Sequence, residues 1–148
     1  MAKEILVVED DYTFRKMVLK RLRNIEYDAE EAKDGVEALE KVHSMGDDLH
    51  LIILDIKMPR MNGIEFLKKM RDEGIDTPVV IIITQVDVSE LEDCDVYAVL
   101  EKPIDWDTFR IKVVSALALA RQRDEVLLKI RTLRTKLQET FNLQAAEL

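Results

Sequence analysis

One cysteine, three prolines, four glycines and an aromatic share of 5% are scarce resources for a chain of 148 residues. Cys94 alone cannot form an internal disulfide, which matches a reducing compartment. No apolar run approaches the roughly 20 residues that span a bilayer. The opening MAKEILVVED lacks the basic-then-apolar layout of a secretory signal, so a cytoplasmic, membrane-free protein is expected. Positive charge is also short: 22 Lys and Arg stand against 30 Asp and Glu, a net −8. Such a chain lacks the basic footprint that phosphate neutralisation needs, and direct nucleic-acid binding is not expected. What remains is an apolar share of 47%, enough for a real core and too much for wholesale disorder.

The scarce residues are unevenly placed. Every glycine and proline precedes residue 104, and nothing after Pro103 breaks a helix. From Arg121 onward six basic residues face four acidic ones, so the tail is about +2 and the first 120 residues carry −10. A punctuated body is therefore followed by one long helix, expected from about Asp105 to about Ala146.

Within the body, short aliphatic runs alternate with amphipathic stretches. Residues 5–8, 51–54, 79–83 and 96–100 read as strands, with 27–31 a weaker one. Helices are expected over 13–23, over 35–43 with Asp34 as its cap, and over 64–71. The clear runs are continuous rather than alternating, as in strands covered on both faces. Five strand signals interleaved with helices predict an α/β fold, a doubly wound five-stranded parallel sheet with an extended C-terminal helix.

The residues just past each run carry the chemistry. The first run ends in Glu9-Asp10-Asp11, the second in Asp55 and the third in Thr84, while Lys102 lies one residue past the fourth. Parallel strands send their carboxyl ends to one edge, where ligands of open α/β sheets bind. Crowded carboxylates repel unless a cation neutralises them, and hard oxygen ligands favour Mg²⁺. Lys and Thr beside them add donors for a phosphoryl group. No Ser-His-Asp set, HExxH motif or Gly-rich phosphate loop is present, so a carboxylate is the nucleophile on offer, giving an acyl phosphate.

At these residues the chain resembles a known family. ILVVEDD, LIILDIKMPRMNGIEFLKKMR, IIIT and LEKPI look like the receiver domain of bacterial two-component response regulators, over about residues 3–120. The resemblance implies a flavodoxin-like receiver over 1–120; residues 121–148 lie beyond it and are expected to form a helical, coiled-coil extension. It implies Asp55 as phosphoacceptor, with Glu9, Asp10, Asp55 and the Lys57 carbonyl around Mg²⁺. Thr84 would be the switch hydroxyl and Lys102 the ionic partner of the phosphoryl group, with a cis Lys102–Pro103 bond. Asp11 would start the first helix. The donor would be a sensor histidine kinase or phosphotransfer protein, and the chain itself would not be an enzyme beyond the chemistry of Asp55.

Three features depart from that family. The aromatic residue usual three positions before the lysine is Val99 here, with Tyr97 further back on the same strand face. Gln85 replaces the small residue usual after the threonine. Only 17 residues separate Thr84 from Lys102, about four fewer than usual, so a short or irregular fourth helix is expected.

In the tail, Val126, Ile130, Leu133 and Leu137 step by 4, 3 and 4, a heptad seam that Phe141, Ala145 and Leu148 continue after a stutter. A parallel homodimer is the expected use, ahead of folding back on the body or docking another protein. The pattern runs to the last residue, so a piece of a longer protein whose output domain lies beyond is expected, ahead of a stand-alone regulator with a helical output. His43 and His50 read as exposed or helix-end histidines, Cys94 as a small side chain and Trp106 as a packing residue. A competing function is a dimerisation and docking module that is poorly phosphorylated. A metal-dependent phosphatase is disfavoured because Lys57 stands where that class carries a second aspartate.

Overall fold

The computed structural model describes residues 3–147 except 57, 59, 84–90 and 92, with backbone alone for 80–83. Among the described residues, five parallel strands run in the order β2-β1-β3-β4-β5: β1 (Ile5–Val8), β2 (Ala29–Ala32), β3 (Leu51–Asp55), β4 (Val79–Ile83) and β5 (Ala98–Glu101). The helices are α1 (Tyr12–Asn24), α2 (Gly35–Met45), α3 (Gly63–Asp72) and α4 (Trp106–Glu147), with a 3₁₀ turn at Gly46–Asp48. This is the doubly wound sheet expected from the alternating runs.

Both sheet faces are covered, which explains why β1 and β3 are apolar throughout. Successive strand side chains point to opposite faces. Leu6, Val8, Ile52 and Leu54 therefore pack with Phe66, Leu67 and Met70 of α3 and Val42 of α2. Ile5, Val7, Leu51 and Ile53 face Leu19 and Leu22 of α1 and Phe109, Val113, Ala116 and Leu117 of α4.

Boundaries moved where local hydrogen bonds decided them. The weak strand begins at Ala29 rather than Tyr27, because α1 closes late: Glu26 takes φ 67° and the Tyr27 N–H donates to the Leu22 carbonyl at 2.9 Å. The last strand begins at Ala98, although the Tyr97 N–H already donates to Val79 at 2.8 Å. Asp11 and Asp34 cap α1 and α2 as expected, accepting from the Phe14 and Glu37 N–H groups. The expected fourth helix falls on residues largely outside those described.

α4 has 42 residues and so runs about 63 Å at 1.5 Å per residue. Its first half buries Phe109, Val113, Ala116, Leu117 and Ala120. It leaves the body through charged contacts: Arg121 pairs with Glu4 at 2.7 Å, His50 meets Asp124 at 2.6 Å, and Arg123 donates to the Asp76 carbonyl at 2.8 Å. Beyond that junction every described residue is exposed. No helix among the described residues is long and apolar enough to cross a membrane.

Candidate functional site

The strand order reverses between β1 and β3, and the carboxyl ends of such strands are where open α/β sheets bind ligands. Glu9 and Asp10 directly follow β1, Asp55 is the last residue of β3, and Lys102 follows β5. One carboxylate oxygen from each of Glu9, Asp10 and Asp55 lies within 4.8 Å of the others, with Glu9 and Asp55 buried and Asp10 exposed. The two remaining candidates, Lys57 and Thr84, lie outside the described residues, as does Gln85.

The electrostatics of this cluster are strained. Burial, then the neighbouring Asp55 charge, push the Glu9 carboxyl from 4.5 up to about 8, while Lys102 pulls the other way. Glu9 and Asp55 share a hydrogen bond, and the Asp11 N–H donates to Glu9 Oε1 at 3.2 Å. Lys102 Nζ lies 3.7 Å from Glu9 Oε2 and 4.1 Å from the centre of the Phe14 ring. The Lys102–Pro103 bond is cis. An all-oxygen donor set in which burial and a neighbouring carboxylate disfavour the charged form of Glu9 fits a hard divalent cation such as Mg²⁺, whose charge would offset both.

The loop after Asp55 is fixed by close approaches that the motif's residue types make possible. A Cβ on Gly63 would meet the Asp55 carbonyl oxygen at 2.5 Å and the Ile56 Cα at 2.8 Å, so only glycine lets α3 start there. The Gly63 N–H donates to the Ile56 carbonyl at 2.8 Å, and the Asn62 side chain caps α3 through the Glu65 N–H at 2.9 Å. Gly35 plays the matching part on α2, where a Cβ would lie 2.6 Å from the Met61 carbonyl oxygen. Arg60, at φ 66°, reaches the buried Asp34 cap at 3.0 Å and ties the loop to α2.

Comparison with known proteins agrees with this geometry. The sequence matches the response regulator receiver domain family over residues 5–114. The chain belongs to that family. Similar proteins include the response regulator MprA of Mycobacterium ulcerans, 39% identical over 90 residues that cover 61% of this chain and 38% of that protein. The Regulator of RpoS from Escherichia coli is 36% identical over 121 residues, covering 79% of this chain and 35% of that protein. The chain thus spans little more than a third of the curated relatives it matches. Among solved structures, the chemotaxis protein CheY4 of Vibrio cholerae superposes with a TM-score of 0.70 at 29% identity, covering 78% of this chain and 99% of that one. This is the receiver domain of a two-component response regulator, a class of signalling proteins rather than of conventional enzymes.

Two features of this receiver stand apart. Val99 is 37% exposed and brings no ring to β5. Tyr97 donates its hydroxyl to Ser115 Oγ of α4 at 2.7 Å. Sequence reasoning missed Phe14 and Arg15. Phe14 was legible only as an apolar helix position, yet one turn past Asp10 its ring lies under the lysine. Arg15 donates to the Glu9 carbonyl at 2.8 Å and to Glu31 at 2.9 Å, stitching α1 to β1 and β2.

Proposed function

We propose that this receiver is a phosphorylation-controlled switch in which Asp55 accepts a phosphoryl group from a phosphohistidine of a sensor kinase or phosphotransfer protein. An Asp55 carboxylate oxygen attacks phosphorus, the P–O bond forming as the P–N bond breaks, and the released imidazole nitrogen takes a proton from solvent. Water later hydrolyses the acyl phosphate, returning carboxylate and inorganic phosphate. Glu9, Asp10, Asp55 and the Lys57 carbonyl would hold Mg²⁺, which would supply positive charge against the crowded carboxylates and the phosphoryl oxygens. Lys102 supplies the ammonium that pairs with the phosphoryl oxygens, and Thr84 the hydroxyl that closes on them. The observation that carries this reading is the three-carboxylate cluster at the sheet's switch point with a lysine beside it.

In this reading residues 1–120 form the receiver and 121–148 the helical extension, working in the cytoplasm as a homodimer through the apolar seam of α4. The extension would relay the state of Asp55 to its partner chain or to an output domain. The exposed side chains of Val126, Ile130, Leu133 and Leu137 support a second copy as the partner. Intact mass after incubation with acetyl phosphate tests the switch. One phosphoryl group is expected with Mg²⁺, and none with a chelator or in Asp55→Asn. No gain from acetyl phosphate or from a phosphorylated kinase would favour the competing docking module, which the ring-free position 99 supports.

A further inference from the structure

A receiver without an aromatic residue at position 99 still needs a path from the site to α4, and a different set of rings lies along one. Lys102 Nζ sits 4.1 Å from the centre of the Phe14 ring, within the range of a cation–π contact. The Phe14 and Trp106 ring centres are 6.5 Å apart at an interplanar angle of 31°. Trp106 in turn meets Phe109 edge to face at 5.2 Å and 78°. Trp106 is the first residue of α4, and Phe109, 1% exposed, heads the stripe that packs α4 on the sheet. Arg21 of α1 lies over the Trp106 ring at 4.7 Å, so α1 grips that first turn from a second position.

The position of the lysine is the informative part. Its ammonium is shared between the Glu9 carboxyl at 3.7 Å and a neutral ring face. Negative charge arriving on Asp55 gives that ammonium a stronger partner than either, because a phosphoryl group offers full charge and several oxygens. Leaving the ring removes one of the contacts that hold Phe14, which also packs on Trp106 and the core beneath it. Because the rings interdigitate with a close-packed core, a displacement at one end is passed on as repacking rather than absorbed.

Resting on the reading of Asp55 as phosphoacceptor, we propose that Phe14 is a positioning residue that parks Lys102 in the unphosphorylated state. In this proposal the Lys102–Phe14–Trp106–Phe109 stack carries the state of Asp55 to the first turn of α4. The ring competes with the phosphoryl group for the ammonium. Removing the ring should therefore tighten binding of a phosphoryl mimic while uncoupling α4 from it.

Trp106 is the sole tryptophan, so intrinsic fluorescence reads the stack directly. The full chain would be titrated with beryllofluoride in Mg²⁺, with uptake followed independently by ¹⁹F NMR. Wild type and Phe14→Tyr, which keeps a ring face, are expected to show a Trp106 emission change that tracks uptake. Phe14→Leu keeps the apolar bulk without the π face; it is expected to bind about two- to fivefold more tightly, the size of one partly exposed cation–π contact. Its Trp106 response should be largely lost. Undiminished response in Phe14→Leu alongside normal uptake overturns this inference alone. Failure of wild type to take up beryllofluoride overturns the reading of Asp55 and this inference with it.

Discussion

The two halves of α4 carry the same pattern and meet different fates. Phe109, Val113, Ala116, Leu117 and Ala120 are at most 4% exposed, whereas Val126, Ile130, Leu133 and Leu137 are between 47% and 71% exposed. Helical periodicity states that an apolar stripe exists; it does not state what covers the stripe. In the first half the cover is the sheet, because β1 and β3 present alternate side chains to that face. In the second half the helix has passed the edge of the sheet, and the charged junction of Glu4, His50 and Asp76 with Arg121, Asp124 and Arg123 marks where it does so. An isolated helix gains most of its stability from packing such a stripe, which is why the second half calls for a partner.

One pair of equivalent substitutions tests this contrast most severely. Leu117→Ala, in a fully buried site, should cost about 2–5 kcal/mol in a urea melt of the receiver, since it opens a cavity that close-packed neighbours fill only in part. Leu133→Ala should leave the receiver's own unfolding within about 0.5 kcal/mol of wild type. Comparable losses at both positions would mean that the exposed half packs on the body, and the contrast would fail.

Association should respond in the opposite sense. With Leu133→Asp and Leu137→Asp combined, each chain of a coiled-coil dimer would carry two charges into its seam. Sedimentation should shift from dimer to monomer while the receiver's melting midpoint stays in place. A chain that sediments as a monomer before mutation would remove the second copy as the occupant of the seam.

The smallest differences belong to charged clips. Exposed pairs contribute about 0–1 kcal/mol, so the Arg121–Glu4 contact steers the helix more than it stabilises it. In the body, a hydrogen bond from Lys16, followed by one from Arg15, holds the Glu31 carboxyl below its usual range. A lowered folded-state value means the contribution is complete above the unfolded value of about 4.5 and fades as pH falls through the folded one. Urea midpoints of wild type and Glu31→Gln should therefore differ slightly near neutral pH and converge in acid. A gap that widens in acid would reverse the sign assigned to this clip.

Much of this architecture was legible without coordinates. Continuous aliphatic runs spaced by amphipathic stretches specify a covered parallel sheet, because a strand buried on both faces cannot alternate. Parallel direction then places the residues after each run on one rim, which is how Glu9, Asp10, Asp55 and Lys102 could be grouped. The caps Asp11 and Asp34 were legible for a local reason, an acceptor side chain directly before a helical pattern. Strand β2 was misplaced by two residues because its start depends on how α1 unwinds at Glu26, a backbone event with little hydrophobic signature.

Other features depend on distances between segments remote in the chain. The need for glycine at position 63 comes from the Asp55 carbonyl oxygen 2.5 Å from where a Cβ would stand, and that at position 35 comes from Met61. The rise of the Glu9 carboxyl to about 8 depends on burial and on Asp55, 46 residues away in sequence, arriving beside it. The placement of Lys102 over Phe14 joins the end of β5 to the start of α1 across the sheet's edge. Periodicity and residue type are properties of neighbours along the chain, so sequence alone determined the elements, their order and the rim that gathers the acids. Close approach, burial and the partner of a charge are properties of neighbours in space, and only the folded chain decided those.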